Sequence, residues 1–160
     1  MIASSVNYKY GGYGQLTNNY VRMLKYDFSN NSSSEAAVNQ CRASHKCKPF
    51  ETDARLDKLA LGWAQDLYDH HKDNMWGITH GAWSKRFSAV LPNTRGGENI
   101  AFAHSIEEAI HLWLGDIFHR WNLLGSYTHA GIANVGFWWV HDFAVLPHSE
   151  EKNRNDFSIL

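Results

Sequence analysis

Between residues 52 and 71 apolar side chains recur at Leu56, Leu59, Ala60, Trp63, Ala64 and Leu67, the spacing of one helix face. Thr52 or Asp53 can cap that helix at its start. A second stripe, Ile106, Ala109, Ile110, Trp113 and Ile117, follows Ser105-Ile106-Glu107-Glu108. That tetrapeptide matches a capping box, in which the Ser and Glu side chains satisfy free N–H groups. The stripe predicts one helix from Ser105 to about His119, with Gly125 as a later stop. A further helix is expected from near Ser34, with Glu35 in the first turn where a carboxylate suits the dipole. Its buried stripe is Ala36, Ala37, Val38 and Cys41, and Pro49 ends the region. After Tyr127 the period shortens. Ile132-Ala133-Asn134-Val135 and Phe137-Trp138-Trp139-Val140, set around Gly131 and Gly136, read as strands. If Phe137, Trp138 and Trp139 alternate faces, one or two enter the core and one is exposed. Residues 74–99, with Gly77, Gly81, Pro92, Gly96 and Gly97, read as loop.

These elements divide the chain into an arm at 1–34, one domain at 35–147 and a polar tail at 148–160. The arm is rich in Tyr, Asn, Gly and Ser, with aromatics at Tyr8, Tyr10, Tyr13, Tyr20, Tyr26 and Phe28. It is expected to pack on the domain or on a neighbouring subunit. A hydrophobic fraction of 44% over 160 residues suffices for a single core. The formal net charge of −1 gives no electrostatic basis for nucleic acid as a partner. No apolar run approaches the roughly 20 residues of a transmembrane helix. The first residues lack the charged start and apolar centre of a signal peptide, so the chain either takes another route or is seen after processing. Asn30-Asn31-Ser32 and Asn31-Ser32-Ser33 match the glycosylation acceptor pattern. Cys41 and Cys47 can be bonded only if the helix ends between them; two free thiols are the alternative.

The chemistry concentrates in two segments, Gly96-Gly97-Glu98-Asn99-Ile100-Ala101 and Trp113-Leu114-Gly115-Asp116-Ile117-Phe118-His119-Arg120-Trp121-Asn122-Leu123-Leu124. Asp116 and His119, three residues apart, share one face if the helix is continuous. His80, in Ile78-Thr79-His80-Gly81, is a third candidate. Two imidazoles and two carboxylates suit a metal site, an acid/base site or a purely structural network. Elsewhere, Asp69, His70 and His71 fall at a helix C-terminus, which suits cations. His141-Asp142 reads as a surface pair after a strand, His104 and His111 lie outside the cluster, and His129 has a structural place.

The order of these motifs, with Asn39-Gln40-Cys41-Arg42 before them and Tyr127-Thr128-His129-Ala130-Gly131-Ile132 after, resembles the CAP superfamily of cysteine-rich secretory proteins, antigen 5 and plant pathogenesis-related proteins. The short form is similar to its bacterial branch. The resemblance covers residues 35–145. It implies an α+β fold, a three-layer α-β-α sandwich with a small, mainly antiparallel sheet. It also implies a cleft with two histidines, matched by His80 and His119, and a carboxylate matched by Glu98. Asp116 stands where many animal members have Glu, a departure that fits a second-shell place.

Three functions follow from this resemblance. The leading one is an extracellular or cell-envelope binding module. Its His80 and His119 would hold Zn²⁺ or another divalent ion beside Glu98 and Asp116, and it would bind a lipid, a sterol or a protein partner. The second is a metal-dependent, peptidase-like hydrolase with Glu98 as general base. The third is a structural subunit docked through the N-terminal arm.

Overall fold

The computed structural model describes residues 29–148. The N-terminal arm lies outside the described residues except where it joins the first helix, and so does the tail beyond His148. Helix α1 (Ser29–Ser44) starts more than a turn earlier than the Asn/Ser run predicts. Ser34, Val38 and Arg42, each one turn apart, are all buried, and packing of that face outweighs weak propensity. The helix ends in a Schellman turn: Cys47 N–H donates to Arg42 O (2.9 Å), Lys46 N–H to Ala43 O (3.0 Å), with Lys46 at φ 61°. It therefore does stop between Cys41 and Cys47, and both are free thiols.

Strand β1 (Glu51–Thr52) leads into helix α2 (Ala54–His71), capped by Asp53, which accepts from Arg55 N. Residues 74–99 are not the loop that their glycines suggest. They hold a 3₁₀ turn (Met75–Gly77), helix α3 (Trp83–Val90) and the start of strand β2 (Gly96–Phe102). Helix α3 buries only Phe87, so it has no repeating stripe to read.

The predicted helix from Ser105 is two helices. Helix α4 (Ile106–Gly115) is capped by Ser105, whose Oγ accepts from Glu108 N (3.3 Å). Glu108 in turn accepts from the backbone N–H of His104 (2.8 Å). The chain then turns at Asp116 (φ −107°, ψ 132°), and helix α5 (Ile117–Leu124) begins. Ile117 leaves the buried stripe and is 61% exposed.

Strands β3 (His129–Val135) and β4 (Trp138–Ala144) complete a four-stranded sheet of order β1-β3-β4-β2. Only β1–β3 is parallel. One face carries Ile100, Ala133, Trp138 and Val140 against Ala60, Ala64 and Leu67 of α2. The other carries Ala101, Ile132, Trp139 and Phe143 against α1 and α4, through Val38, Ile106 and Trp113. The fold is thus α+β in three layers. Because helices cover both faces, β4 is buried on both, and neither Trp138 nor Trp139 is exposed. His141 and Asp142 are likewise not a surface pair: both lie within β4 and are buried.

Candidate functional site

Strand β2 is an edge of the sheet, and its Gly-Gly-Glu-Asn run organises the site. Successive strand residues point to opposite faces. Gly97 lies where a Cβ would come within 2.8 Å of both Asn122 Oδ1 and Tyr127 Oη, so only glycine admits those two side chains. Asn122 Nδ2 donates to Glu98 O (3.3 Å), and Tyr127 Oη to Gly96 O (3.2 Å), which satisfies outward carbonyls of the edge. Asn99 turns towards α5. Its Nδ2 donates to His119 O (2.8 Å), and its Oδ1 accepts from Asn122 Nδ2 (2.9 Å).

Glu98 turns to the other face, where its side chain is 1% exposed. Oε1 accepts from His80 Nδ1 (2.8 Å) and Oε2 from Arg86 Nη2 (2.9 Å). The same guanidinium donates to His80 O (3.0 Å) and stacks 3.8 Å from the Trp63 ring centroid. Trp63 Nε1 donates to Thr79 O (3.0 Å). The loop carrying His80 is therefore fastened at three points, to β2, α3 and α2. Beneath it, Trp83 Nε1 donates to the buried carboxylate oxygen Oδ1 of Asp142 (2.8 Å).

His119 reaches the site from α5. Asp116 caps this helix, its Oδ1 accepting from Phe118 N and His119 N at 3.0 Å each. The same oxygen lies 3.2 Å from His119 Nδ1. Burial lowers the His119 pKa, against the pull of Asp116 and with that of His80. The His80 and His119 rings face each other with centroids 6.5 Å apart and planes 37° apart. His80, Glu98 and His119 thus meet at one edge. Asp116 stays beside His119, tied to the helix start.

Each imidazole offers Nδ1 to a carboxylate and keeps Nε2 away from it, the arrangement that orients histidine ligands of metal ions. The two imidazoles are the residues that would hold a divalent ion if one bound here. Among the described residues no group of three or more His, Cys, Asp or Glu is arranged to hold a metal. Water would complete the coordination. Each Glu98 oxygen carries one hydrogen bond and the side chain is 1% exposed, whereas a general base needs an oxygen within reach of the reacting group.

The sequence reading missed Arg86, Trp83 and Asp142. Beside the cleft, Phe118 and Trp121 are 70% and 68% exposed and touch edge to face at 6.3 Å. At the opposite sheet edge Glu51 pairs with His129 Nε2 (3.3 Å) and with His148 Nδ1. Those two rings lie 6.2 Å and 36° apart. His141 sits against Phe50, Trp113 and Phe143, and burial drives its pKa down to about 3.

The sequence profile of the cysteine-rich secretory protein family (CAP) matches residues 35–138. No curated protein matches the chain. Among solved structures, an extracellular protein containing an SCP domain from Bacillus anthracis is similar, with TM-score 0.65 and 23% identity over 84% of this chain and 45% of that one. A cysteine-rich secretory protein from Staphylococcus aureus gives 0.61 and 19%, over 76% of this chain and 40% of that one. An outer surface protein from Borrelia burgdorferi gives 0.61 and 17%, over 71% and 90%. The chain thus spans less than half the length of the Bacillus and Staphylococcus proteins.

Proposed function

The chain belongs to the cysteine-rich secretory protein (CAP) family, and from that premise we propose that it is an extracellular binding module whose cleft takes a divalent ion between His80 and His119. One observation carries the reading: both imidazoles are oriented through Nδ1 by a carboxylate, Glu98 for one and Asp116 for the other. The extracellular and surface proteins of similar fold support the location. The apolar lip of Ile117, Phe118 and Trp121 supports a lipid, sterol or protein partner docking next to the ion. A solvent-exposed cluster of this kind marks contact surfaces.

Calorimetric titration of the purified chain with Zn²⁺ tests the ion. Saturable uptake of one ion is expected, weakened at least tenfold in His80→Ala and in His119→Ala. Uptake unchanged in both variants would end the reading. Vesicle co-sedimentation of Phe118→Ala/Trp121→Ala against the parent tests the lip. Equal binding of the two proteins would remove lipid from the proposal.

A further inference from the structure

Glu98 does not stand alone beneath His80. Its register partner across the β2–β4 ladder is Asp142, and both residues are buried. Residues directly opposed on antiparallel strands share a face, with Cβ atoms about 5 Å apart. On the other flank of Asp142 the register partner is Gly131, where any side chain would collide with the α2 backbone at Leu56 and Asp57. Asp57 itself turns its carboxylate to Ile132 N (3.1 Å). The charged groups that act on Asp142 are therefore Glu98 on β2 and Arg86 on α3, with His80 on the far side of Glu98.

The partners are unequally shared. Glu98 receives both His80 and Arg86. Asp142 receives one indole N–H at Oδ1, and its buried Oδ2 has no partner. Two carboxylates this close and out of water do not both stay ionised beside a single guanidinium. The proton settles on the acid with less support. Burial and then the Glu98 charge push the Asp142 carboxyl well above the usual range, outweighing Trp83 and Arg86.

We propose that Asp142 is the second acid of the cleft, carried as an uncharged carboxyl, and that it is a positioning residue that leaves the negative charge on Glu98 to hold His80. The inference concerns the metal-free chain and holds whether or not an ion binds, so its failure and that of the ion site are separate results.

The test is carboxyl ¹³C NMR of the aspartate-labelled full chain, with metal removed. The Asp142 signal is expected in its protonated position at pH 7; an ionised position there overturns the proposal. In Glu98→Gln its titration midpoint is expected to fall by about one pH unit, since the neighbouring charge is gone. An unmoved midpoint would leave burial as the whole cause and overturn the coupling to Glu98. Melting of Asp142→Asn gives a second measurement. An acid neutral in the fold and ionised when unfolded costs stability as pH rises above about 4. The asparagine has no such cost. The melting temperature of Asp142→Asn relative to the parent is therefore expected to rise with pH, by up to about 4 °C per unit. A relative melting temperature that falls with pH would mean a charged, paired Asp142.

Discussion

Both edges of the sheet carry a glutamate beside a pair of histidine rings, and the two clusters differ in ways that their residue types do not show: Glu51 pairs with both of its histidines, whereas Glu98 pairs with His80 and leaves His119 to Asp116. At β2 the rings of His80 and His119 lie 6.5 Å apart; near β1 those of His129 and His148 lie 6.2 Å apart, at nearly the same tilt. Yet the Glu98 side chain is 1% exposed and that of Glu51 36%. Glu98 also holds Arg86, and the two rings at this edge come from opposite layers of the sandwich, a loop before α3 and helix α5. His129 instead belongs to the sheet, and His148 to the segment after β4. Ring spacing alone therefore does not define a site. Burial of the carboxylate and convergence of separate layers set the β2 edge apart from the β1 edge.

The largest test of this contrast is removal of each glutamate. Glu98→Ala leaves the half-buried Arg86 guanidinium without its carboxylate and should cost about 1–3 kcal/mol, whereas Glu51→Ala should cost within about 1 kcal/mol. Urea unfolding of the two variants measures both; equal losses would erase the distinction. Next comes acid. His141 is neutral in the fold with a pKa of about 3, while an unfolded histidine titrates near 6.5. Stability is thus retained above about 6.5 and lost as pH falls towards 3, by up to about 1.4 kcal/mol per unit. His141→Phe should flatten that part of the profile, and an unchanged slope would shift the acid response to the two edge clusters. Gly97→Ala should cost about 1–3 kcal/mol through overpacking against Asn122 and Tyr127, without touching the Glu51 side. Smallest, Trp121→Ala should change stability by no more than about 0.5 kcal/mol, because that ring is exposed and lies outside the core.

The helices with repeating apolar stripes, α2 and α4, were legible in the sequence, as was the strand pair after Tyr127, while the grouping of His80, Glu98 and His119 rested on the resemblance. The break at Asp116 is written in the sequence, since Gly115 followed by Asp116 is a stop beside a cap. The stripe through Ile117 read across it. Arg86 and Trp83 escaped because α3 is eight residues long and buries a single side chain. Asp142 escaped because a charged residue next to a strand reads as surface, and only the register that sets it opposite Glu98 reveals its burial. The arm of residues 1–34 is read from composition alone.

The side chains that close the β2 edge have one more effect. An edge strand with open carbonyls is a template for another strand. Here Asn122 and Tyr127 already occupy the outward carbonyls of Glu98 and Gly96. A partner arriving at this end of the molecule meets side chains where backbone would have invited strand addition. A ligand recognised there would meet imidazole and aromatic side chains rather than open backbone, a surface poorly suited to strand addition by an extended peptide.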